Sequence, residues 1–256
     1  MTYLMWRLHR NQLLIAGGLL IVVTAVLLLL KKSQSQTIEV IDFATMGMPL
    51  LLGLFWGSPL LAQEFEDGTN GLVWTQCVTR RRWLRSNLLW MILAAAAWGA
   101  AVTAVVTWWS LPEVSLGLSR LTEGQFDIQG IAPVAYSVFA VVLGIAVGST
   151  IRRVPPAMAM TLAAFIAVRV VVVLARPHFM SPVSKVFSNP NLLGISALRG
   201  SWWLSSPAPV GRNGTLLTYQ PADRFWAFQG IETGIYIVLA AGLVALAYRM
   251  VVTRDA

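Results

Sequence analysis

Residues 132–175 read APVAYSVFAVVLGIAVGSTIRRVPPAMAMTLAAFIAVRVVVVLA. Two apolar blocks, 132–151 and 157–175, flank a short turn that holds Arg152, Arg153 and two prolines. Each block is close to the ~20 apolar residues that cross a bilayer as a helix, and prolines in the turn stop helices. The stretch therefore predicts two membrane-spanning helices joined by a tight turn.

The rest of the chain repeats this pattern and predicts an all-α polytopic membrane protein with about six spans. Hydrophobic residues make up 57% of the 256 residues and charged residues only 12%, whereas a soluble domain carries about a quarter charged residues. So few charges cannot cover the surface of a soluble protein of this size. The predicted spans are 12–30, 46–62, 88–109, 132–151, 157–175 and 233–250.

Glycine and proline distinguish the second and fourth predicted spans. The second holds Gly53, Gly57 and Pro59, which predicts a broken, closely packed helix whose backbone groups are satisfied by neighbours. Gly144 and Gly148 in the fourth span have small-xxx-small spacing, which suits close contact with another helix; the alternative is a coincidence of spacing on a lipid-facing side. The single cysteine, Cys77, excludes an internal disulfide.

Arginines in the short loops predict the orientation of the spans. Cytoplasmic loops carry an excess of Lys and Arg, and a cytoplasmic N-terminus leaves only Lys31, Lys32 and Arg120 in the short outer loops. We therefore expect an N-in, C-in topology, with an outer segment at 176–232 and a cytoplasmic segment at 63–87. This topology places the following arginines inside: Arg7, Arg10, Arg80, Arg81, Arg82, Arg85, Arg152, Arg153, Arg249 and Arg254.

The motifs of several function classes are missing from the sequence. There is no GxxxxGK[ST] phosphate-binding loop, so ATP hydrolysis by that route is excluded. No HExxH, CxxC or GxSxG occurs, and no cofactor or metal site is expected within the chain. Two other classes stay open: an intramembrane lipid-modifying enzyme using His178, Glu232 and Arg176, and a non-transporting scaffold or immunity protein.

The cytoplasmic segment 63–87 has a dipolar charge pattern. Acids at Glu64, Glu66 and Asp67 precede a Gly-Thr break, and four arginines follow within residues 80–85. The acidic end suits a soluble partner, and the basic end suits anionic lipid headgroups. Here PLLAQEFEDGT at 59–69 and WTQCVTRRRW at 74–83 resemble the permease subunits of actinobacterial ABC-2-type exporters. WRLHRNQ at 6–12 and YQPADRFWAFQGIE at 219–232 are similar to further stretches of that family.

The resemblance implies a type V exporter-like transmembrane domain in the bacterial plasma membrane. It implies an interfacial elbow helix over 1–11 and short re-entrant helices within 176–232. The loop at 31–45 is shorter than in many relatives, which puts a substrate role for it in doubt. The residues that the resemblance assigns to partner coupling are Glu64, Phe65, Glu66, Gly68, Thr69, Trp74 and Gln76. From their places at span ends and in short loops, the residues expected at the membrane interface are Arg7, Arg10, Arg80, Arg81, Arg82, Trp83, Arg152 and Arg153.

The partners implied are two copies of an ABC ATP-binding subunit, which would hold ATP and Mg, and a second permease copy in a homodimer. Lipid would surround the spans, and no nucleic acid is expected. The implied function is efflux of a hydrophobic or amphipathic drug, peptide or lipid, as in multidrug resistance. No covalent chemistry is expected in this chain.

One charge lies inside an apolar block. Arg169 should face protein, water or headgroups, because a charge at the bilayer centre is costly. We expect it to extend to the outer headgroups, or else to bind an anionic or polar substrate or pair with Glu232. Tryptophans 108, 109, 202, 203 and 226 lie at predicted outer ends, where an aromatic belt is expected. Candidate residues of a translocation path are Arg169, Glu232, Trp202 and Trp203.

Overall fold

The computed structural model describes Gly18 and residues 45–66, 80–115, 119–122, 124–188, 198–211 and 214–253. Five helices in these ranges are long and apolar enough to cross a membrane. They overlie the predicted spans from the second to the sixth. Apart from Gly18, the first predicted span and the elbow helix lie outside the described residues.

The helices are named here in chain order. They are α1 (Thr45–Glu66), α2 (Arg80–Ser115), the short α3 (Gln125–Ile128), α4 (Ala132–Ile151), α5 (Val154–Ala175) and α6 (Phe225–Thr253). α4 matches the predicted range 132–151. α6 begins eight residues before the predicted span at 233, because Phe225 and Phe228 pack beneath the outer segment and extend the helix.

α4 is the central helix of the described bundle. It is apolar on all faces and most of its residues are buried, as expected of a helix enclosed by others. Phe139 of α4 stacks on Phe165 of α5, and both Phe139 and Tyr136 meet the ring of Tyr236 on α6. On another side of α4, Gly99 of α2 lies against Ser137.

Glycines bring α1 against α4. A Cβ built on Gly57 would lie 2.4 Å from the carbonyl oxygen of Val141, and one built on Gly144 would lie 2.4 Å from that of Gly53. The prediction of close helix contact at Gly144 and Gly148 is confirmed. α1 is also interrupted: residues Gly53–Gly57 form a π-helical turn, and the Ser58 hydroxyl donates to the Gly53 carbonyl at 3.2 Å.

The segment after α5 forms a small antiparallel sheet. β4 (Gly214–Gln220) pairs with β1 (Val183–Phe187) on one side and with β2 (Trp202–Trp203) and β3 (Ala208–Val210) on the other. Short re-entrant helices were expected in 176–232, but the described part up to Arg224 holds these strands and two 3₁₀ turns, Arg176–His178 and Ala222–Arg224, and residues from 225 onward belong to α6. Pairing with β4 satisfies backbone groups that a chain broken by proline and glycine cannot satisfy as a helix.

The bundle thus has two distinct ends. We call the end that carries the sheet, α3 and the start of α6 the sheet end. We call the other end, where the α4–α5 turn meets the end of α1 and the start of α2, the hairpin end. Under the predicted topology the hairpin end is cytoplasmic.

Candidate functional site

Four charged side chains meet inside the sheet end, and we call them the ion cluster: Asp127, Arg169, Arg176 and Glu232. Arg169 binds Asp127 at 3.0 Å and Glu232 at 3.3 Å. Arg176 donates from Nε and Nη2 to the two oxygens of Glu232 at 2.9 and 3.0 Å, and its Nη2 also binds Asp127. The cluster joins α3, α5 and α6 through side chains.

Local structure brings these residues together. Asp127 lies on α3, which is bounded by turns at Gly124 and Gly130 with φ of 82° and 80°, values that favour glycine. Arg169 and Arg176 are seven residues apart, so two helical turns place them on one face of α5 and its 3₁₀ extension. Glu232 lies about two turns into α6.

The cluster is buried and its formal charge is balanced. Arg176 and Glu232 are fully buried, and the Arg169 side chain is only 13% exposed. The Tyr136 hydroxyl donates to Glu232 at 2.6 Å, and the Arg169 guanidinium lies 4.2 Å from the centre of the Tyr136 ring. Two arginines opposite two carboxylates keep the charges tolerable in a low-dielectric interior.

These contacts decide between the expectations for Arg169. The pairing with Glu232 is present, and extension to the headgroups is wrong, because the guanidinium is enclosed by Asp127, Glu232 and Tyr136. Whether Arg169, Glu232, Trp202 and Trp203 line a translocation path stays a prediction. The sequence reasoning missed Asp127, although a buried arginine signals the need for carboxylate partners.

Gln229 holds the start of α4 beside the ion cluster. Its Oε1 accepts from the backbone N–H groups of Ile131 and Ala132 at 3.0 and 2.7 Å. Its Nε2 donates to the carbonyls of Phe126 and Gln129 at 3.1 and 3.0 Å. One side chain on α6 thus satisfies free N–H groups at the start of α4.

Arg120 forms the border of this region. Its Nε donates to Gln129 at 3.0 Å, and its guanidinium lies 4.2 Å from the centre of the Phe225 ring. Partial burial lowers the pKa of the Arg120 guanidinium, which still stays charged because arginine does not deprotonate in proteins. Arg120 therefore adds one fixed positive charge beside the balanced cluster.

At the hairpin end, the last residue of α1, Glu66, binds the start of α5. The Val154 N–H donates to the Glu66 carboxylate at 2.8 Å. The Arg152 guanidinium lies 4.6 Å from the centre of the Phe65 ring. A carboxylate at a helix start is favourable, because it meets the positive end of the helix dipole and a free N–H. We call this pair of interactions the hairpin contact.

The predicted coupling and interface residues are partly described. Helix α1 ends with Glu64, Phe65 and Glu66. Near the start of α2, Arg81 and Arg82 are exposed and Trp83 is half-buried. Arg152 and Arg153 are exposed in the α4–α5 turn. Their roles in coupling and orientation stay predictions. The following fall outside the described residues: Arg7, Arg10, Gly68, Thr69, Trp74 and Gln76.

The five tryptophans do not form one belt. Trp108 and Trp226 are 50% and 58% exposed, as a belt requires, but Trp109 is buried. Trp202 and Trp203 lie in the sheet, where Trp202 packs edge-on against Phe228. The belt expectation is therefore wrong for Trp202, because its ring closes an aromatic core beneath the sheet.

The described residues show where the candidate catalytic side chains lie. They contain no group of three or more His, Cys, Asp and Glu side chains that could hold a metal ion. Glu232 and Arg176 are buried against each other in the ion cluster, and His178 is exposed. The ion cluster holds α3, α5 and α6 together through buried ion pairs.

The family described as ABC-2 membrane transporter related matches residues 18–176, more than half of the chain. The match includes α1 to α5 and the hairpin contact, and it ends at Arg176 of the ion cluster. No curated protein and no solved structure matches the chain. The chain therefore belongs to the ABC-2 membrane transporter related family and is a multi-pass membrane permease of the ABC-2 type.

Proposed function

We propose that this permease is the membrane subunit of an ATP-driven exporter in a bacterial plasma membrane. Family membership implies an ATP-binding subunit as partner. In the proposal, two such subunits act on two copies of the permease and hydrolyse ATP with Mg. The cargo is a hydrophobic or amphipathic compound that leaves the cell, and this chain does no covalent chemistry.

The hairpin contact carries the proposal. A soluble ATPase can move membrane helices only through a firm attachment at the membrane surface. Glu66 ends α1 directly before the predicted coupling residues, and its carboxylate binds the first N–H of α5. A push on the segment between α1 and α2 would therefore reach α5 through Glu66, and the exposed position of Glu66 leaves it open to a partner.

The ion cluster supports the second half of the proposal. Movement of α5 at the hairpin end has to reach the opposite membrane surface to switch access there. Arg169 and Arg176 tie the far end of α5 to Asp127 and Glu232, so α3 and α6 would follow it. The permease would then change access at the sheet end when ATP closes the partner subunits.

The test combines purification with a substrate-free report of movement. Cys77→Ser removes the only cysteine, and Ser181→Cys adds an exposed one at the sheet end. We expect the permease to co-purify with an ATPase subunit. We also expect the addition of ATP and vanadate to change the rate at which a maleimide labels position 181. Glu66→Ala should preserve the complex but abolish the nucleotide-dependent change in labelling. The control is Asp223→Asn, which replaces an exposed acid at the opposite end and should preserve that change.

Two results would contradict the proposal. One is a permease that purifies with no ATPase subunit and transports alone. The other is a nucleotide-dependent labelling change that persists unaltered in Glu66→Ala.

A further inference from the structure

Arg120 is held in a fixed orientation at the border of the sheet end. Its Nε donates to Gln129 at 3.0 Å, and the Gln129 amide in turn donates to Gln125 at 2.6 Å. The Arg120 guanidinium lies 4.2 Å from the centre of the Phe225 ring and 6.0 Å from that of the Trp226 ring. Within the described part of the chain, its two Nη groups have no hydrogen-bond partner, so these donors are available to a ligand.

The positive charge of Arg120 is not balanced by a carboxylate of the described residues. Asp127 and Glu232, the buried acids of the sheet end, are both bound by Arg169 and Arg176. Arg120 itself is half-buried, so a ligand can reach its guanidinium from outside. A planar guanidinium matches the paired oxygens of a carboxylate or a phosphate. An oxyanion therefore fits this position.

The outward side of α6 carries a groove that begins beside this guanidinium. One i, i+4 row of the helix is exposed along its length: Trp226, Gly230, Gly234 and Val238. A Cβ built on Gly230 or Gly234 would meet no atom within 4 Å. We call the gap at these two glycines, between Trp226 and Val238, the glycine groove. The row from Trp226 to Val238 covers about 18 Å of helix.

The glycine groove differs from the glycine contacts inside the bundle. A Cβ built on Gly57 or Gly144 would lie 2.4 Å from a backbone oxygen of the neighbouring helix, so those two glycines serve helix packing. The glycine groove meets no other helix of the described residues. Its sides are apolar, since Ile231 and Ile237 are 38% and 57% exposed on either side of it. A linear apolar chain fits this shape.

The cationic and apolar parts of this surface meet at the depth of the lipid headgroups. α6 is long enough to cross the membrane, so its first turn lies near one membrane surface. Trp226 in that turn is 58% exposed, and Trp108 near the same end of α2 is 50% exposed. Exposed tryptophans favour the interface between headgroups and hydrocarbon. A phospholipid has the same order of parts, because its phosphate lies at the surface and its chains run inward.

We propose that Arg120 and the glycine groove bind one membrane phospholipid, with its phosphodiester on Arg120 and an acyl chain along Gly230 and Gly234. The phosphate balances the charge that the protein leaves unpaired, and the chain covers the open backbone of α6. The bound headgroup would hold Arg120 against Phe225 and so stabilise the contact between the residues before α3 and the start of α6. The proposal does not depend on ATP coupling or on transport.

A phosphatidylglycerol with a photoreactive diazirine in its acyl chain tests the proposal. The full chain in dodecyl maltoside micelles is irradiated at increasing concentrations of this lipid, and labelled peptides are mapped by mass spectrometry. We expect saturable labelling of α6 within residues 226–242, which unlabelled phosphatidylglycerol competes away. Diacylglycerol lacks the phosphate and inorganic phosphate lacks the chains, so each should compete at least about tenfold less well.

Variants of Arg120 test the role of the guanidinium. Arg120→Gln should weaken half-saturation by about tenfold or more, because it removes charge-assisted hydrogen bonds to the phosphate. Arg199→Gln, which replaces an exposed arginine of the sheet end, is the control and should not. Arg120→Lys keeps the charge without the planar fork, so its half-saturation should lie between those of the wild type and Arg120→Gln. If Arg120→Gln does not fold, the lysine variant decides.

Four results would overturn the proposal. They are labelling that does not saturate, labelling spread equally over all lipid-facing helices, equal competition by diacylglycerol or by inorganic phosphate, and wild-type half-saturation in every Arg120 variant that folds. A second copy of the chain, or another of its segments, seated in the glycine groove would exclude the acyl chain. α6 would then carry no saturable label, which also contradicts the proposal.

Discussion

Removing one charge from the ion cluster should destabilise the permease strongly. In Glu232→Gln the side chain keeps its shape but the cluster is left with two arginines and one carboxylate. Glu232 is fully buried and contacts Arg176 twice, Arg169 once and Tyr136 once. Breaking a buried pair by removing one partner costs about 3–5 kcal/mol, because an uncompensated charge remains inside.

The charge-balanced double variant separates electrostatics from lost packing. Arg169→Gln alone leaves one excess negative charge, whereas Arg169→Gln combined with Glu232→Gln restores neutrality. We therefore expect the double variant to lose clearly less stability than the two single losses added together. This non-additivity is the coupling energy of a double-mutant cycle.

The assay is thermal unfolding in detergent or nanodiscs with all four proteins side by side. For a chain of this size about 1 kcal/mol corresponds to about 2–4 °C, so Glu232→Gln should unfold about 6–20 °C below the wild type. Arg199→Gln, an exposed arginine at the sheet end, is the control and should change little. The reasoning is refuted if Glu232→Gln unfolds at the wild-type temperature or if the single losses simply add.

Three further predictions concern backbone fit and can be checked with the same unfolding assay or with hydrogen exchange. Gly144→Ala should lower stability by about 1–3 kcal/mol, because its Cβ would lie within 2.6 Å of two backbone atoms of α1. Gly242→Ala, with nothing within 4 Å, should be neutral or stabilising, and equal behaviour of the two variants would contradict the packing. The Gln229 side-chain carbonyl accepts two backbone N–H groups at the start of α4, so Gln229→Leu should speed amide hydrogen exchange there. An unchanged exchange rate would count against that role. Arg152 has φ of 59°, so Arg152→Val should lower stability more than Arg152→Gly, since both lose the contact with Phe65 but only glycine adopts this φ without strain; equal stability of the two variants would show that the turn is not fixed.

Hydropathy predicted the positions of the helices. A chain that crosses lipid must pair its own backbone N–H and C=O groups, and a long apolar helix is the main structure that does so. The block at 132–151 coincides with α4, since prolines and arginines mark its end. The sheet was missed for a physical reason. Its strands are two to seven residues long, and pairing between distant segments leaves little local signal. GTLLTYQ at 214–220 does hold two threonines and a tyrosine, residue types that are enriched in strands.

The ion cluster was only half predictable. Arg169 lies within an apolar block and therefore needs a partner, and Glu232, near the start of the last span, was one of the partners predicted. Asp127 lies 42 residues from Arg169 and 105 from Glu232 along the chain, in a helix of four residues that no hydropathy window detects. Such a meeting is set by tertiary packing around Gly124 and Gly130, and sequence spacing alone does not encode it.

Helix α5 links the two ends of the molecule, and this explains why its charges lie where they do. Its first N–H is held by Glu66 at the hairpin end, and Arg169 and Arg176 are held at the sheet end. From Val154 to Arg176 the helix and its extension cover about 33 Å, close to the thickness of the hydrocarbon core. Most of its length faces outward and is apolar, so lipid resists its movement little, while polar contacts at the two ends fix it to its neighbours. A helix held by polar contacts at both ends would transmit displacement across the membrane, as the proposed ATP-driven mechanism requires.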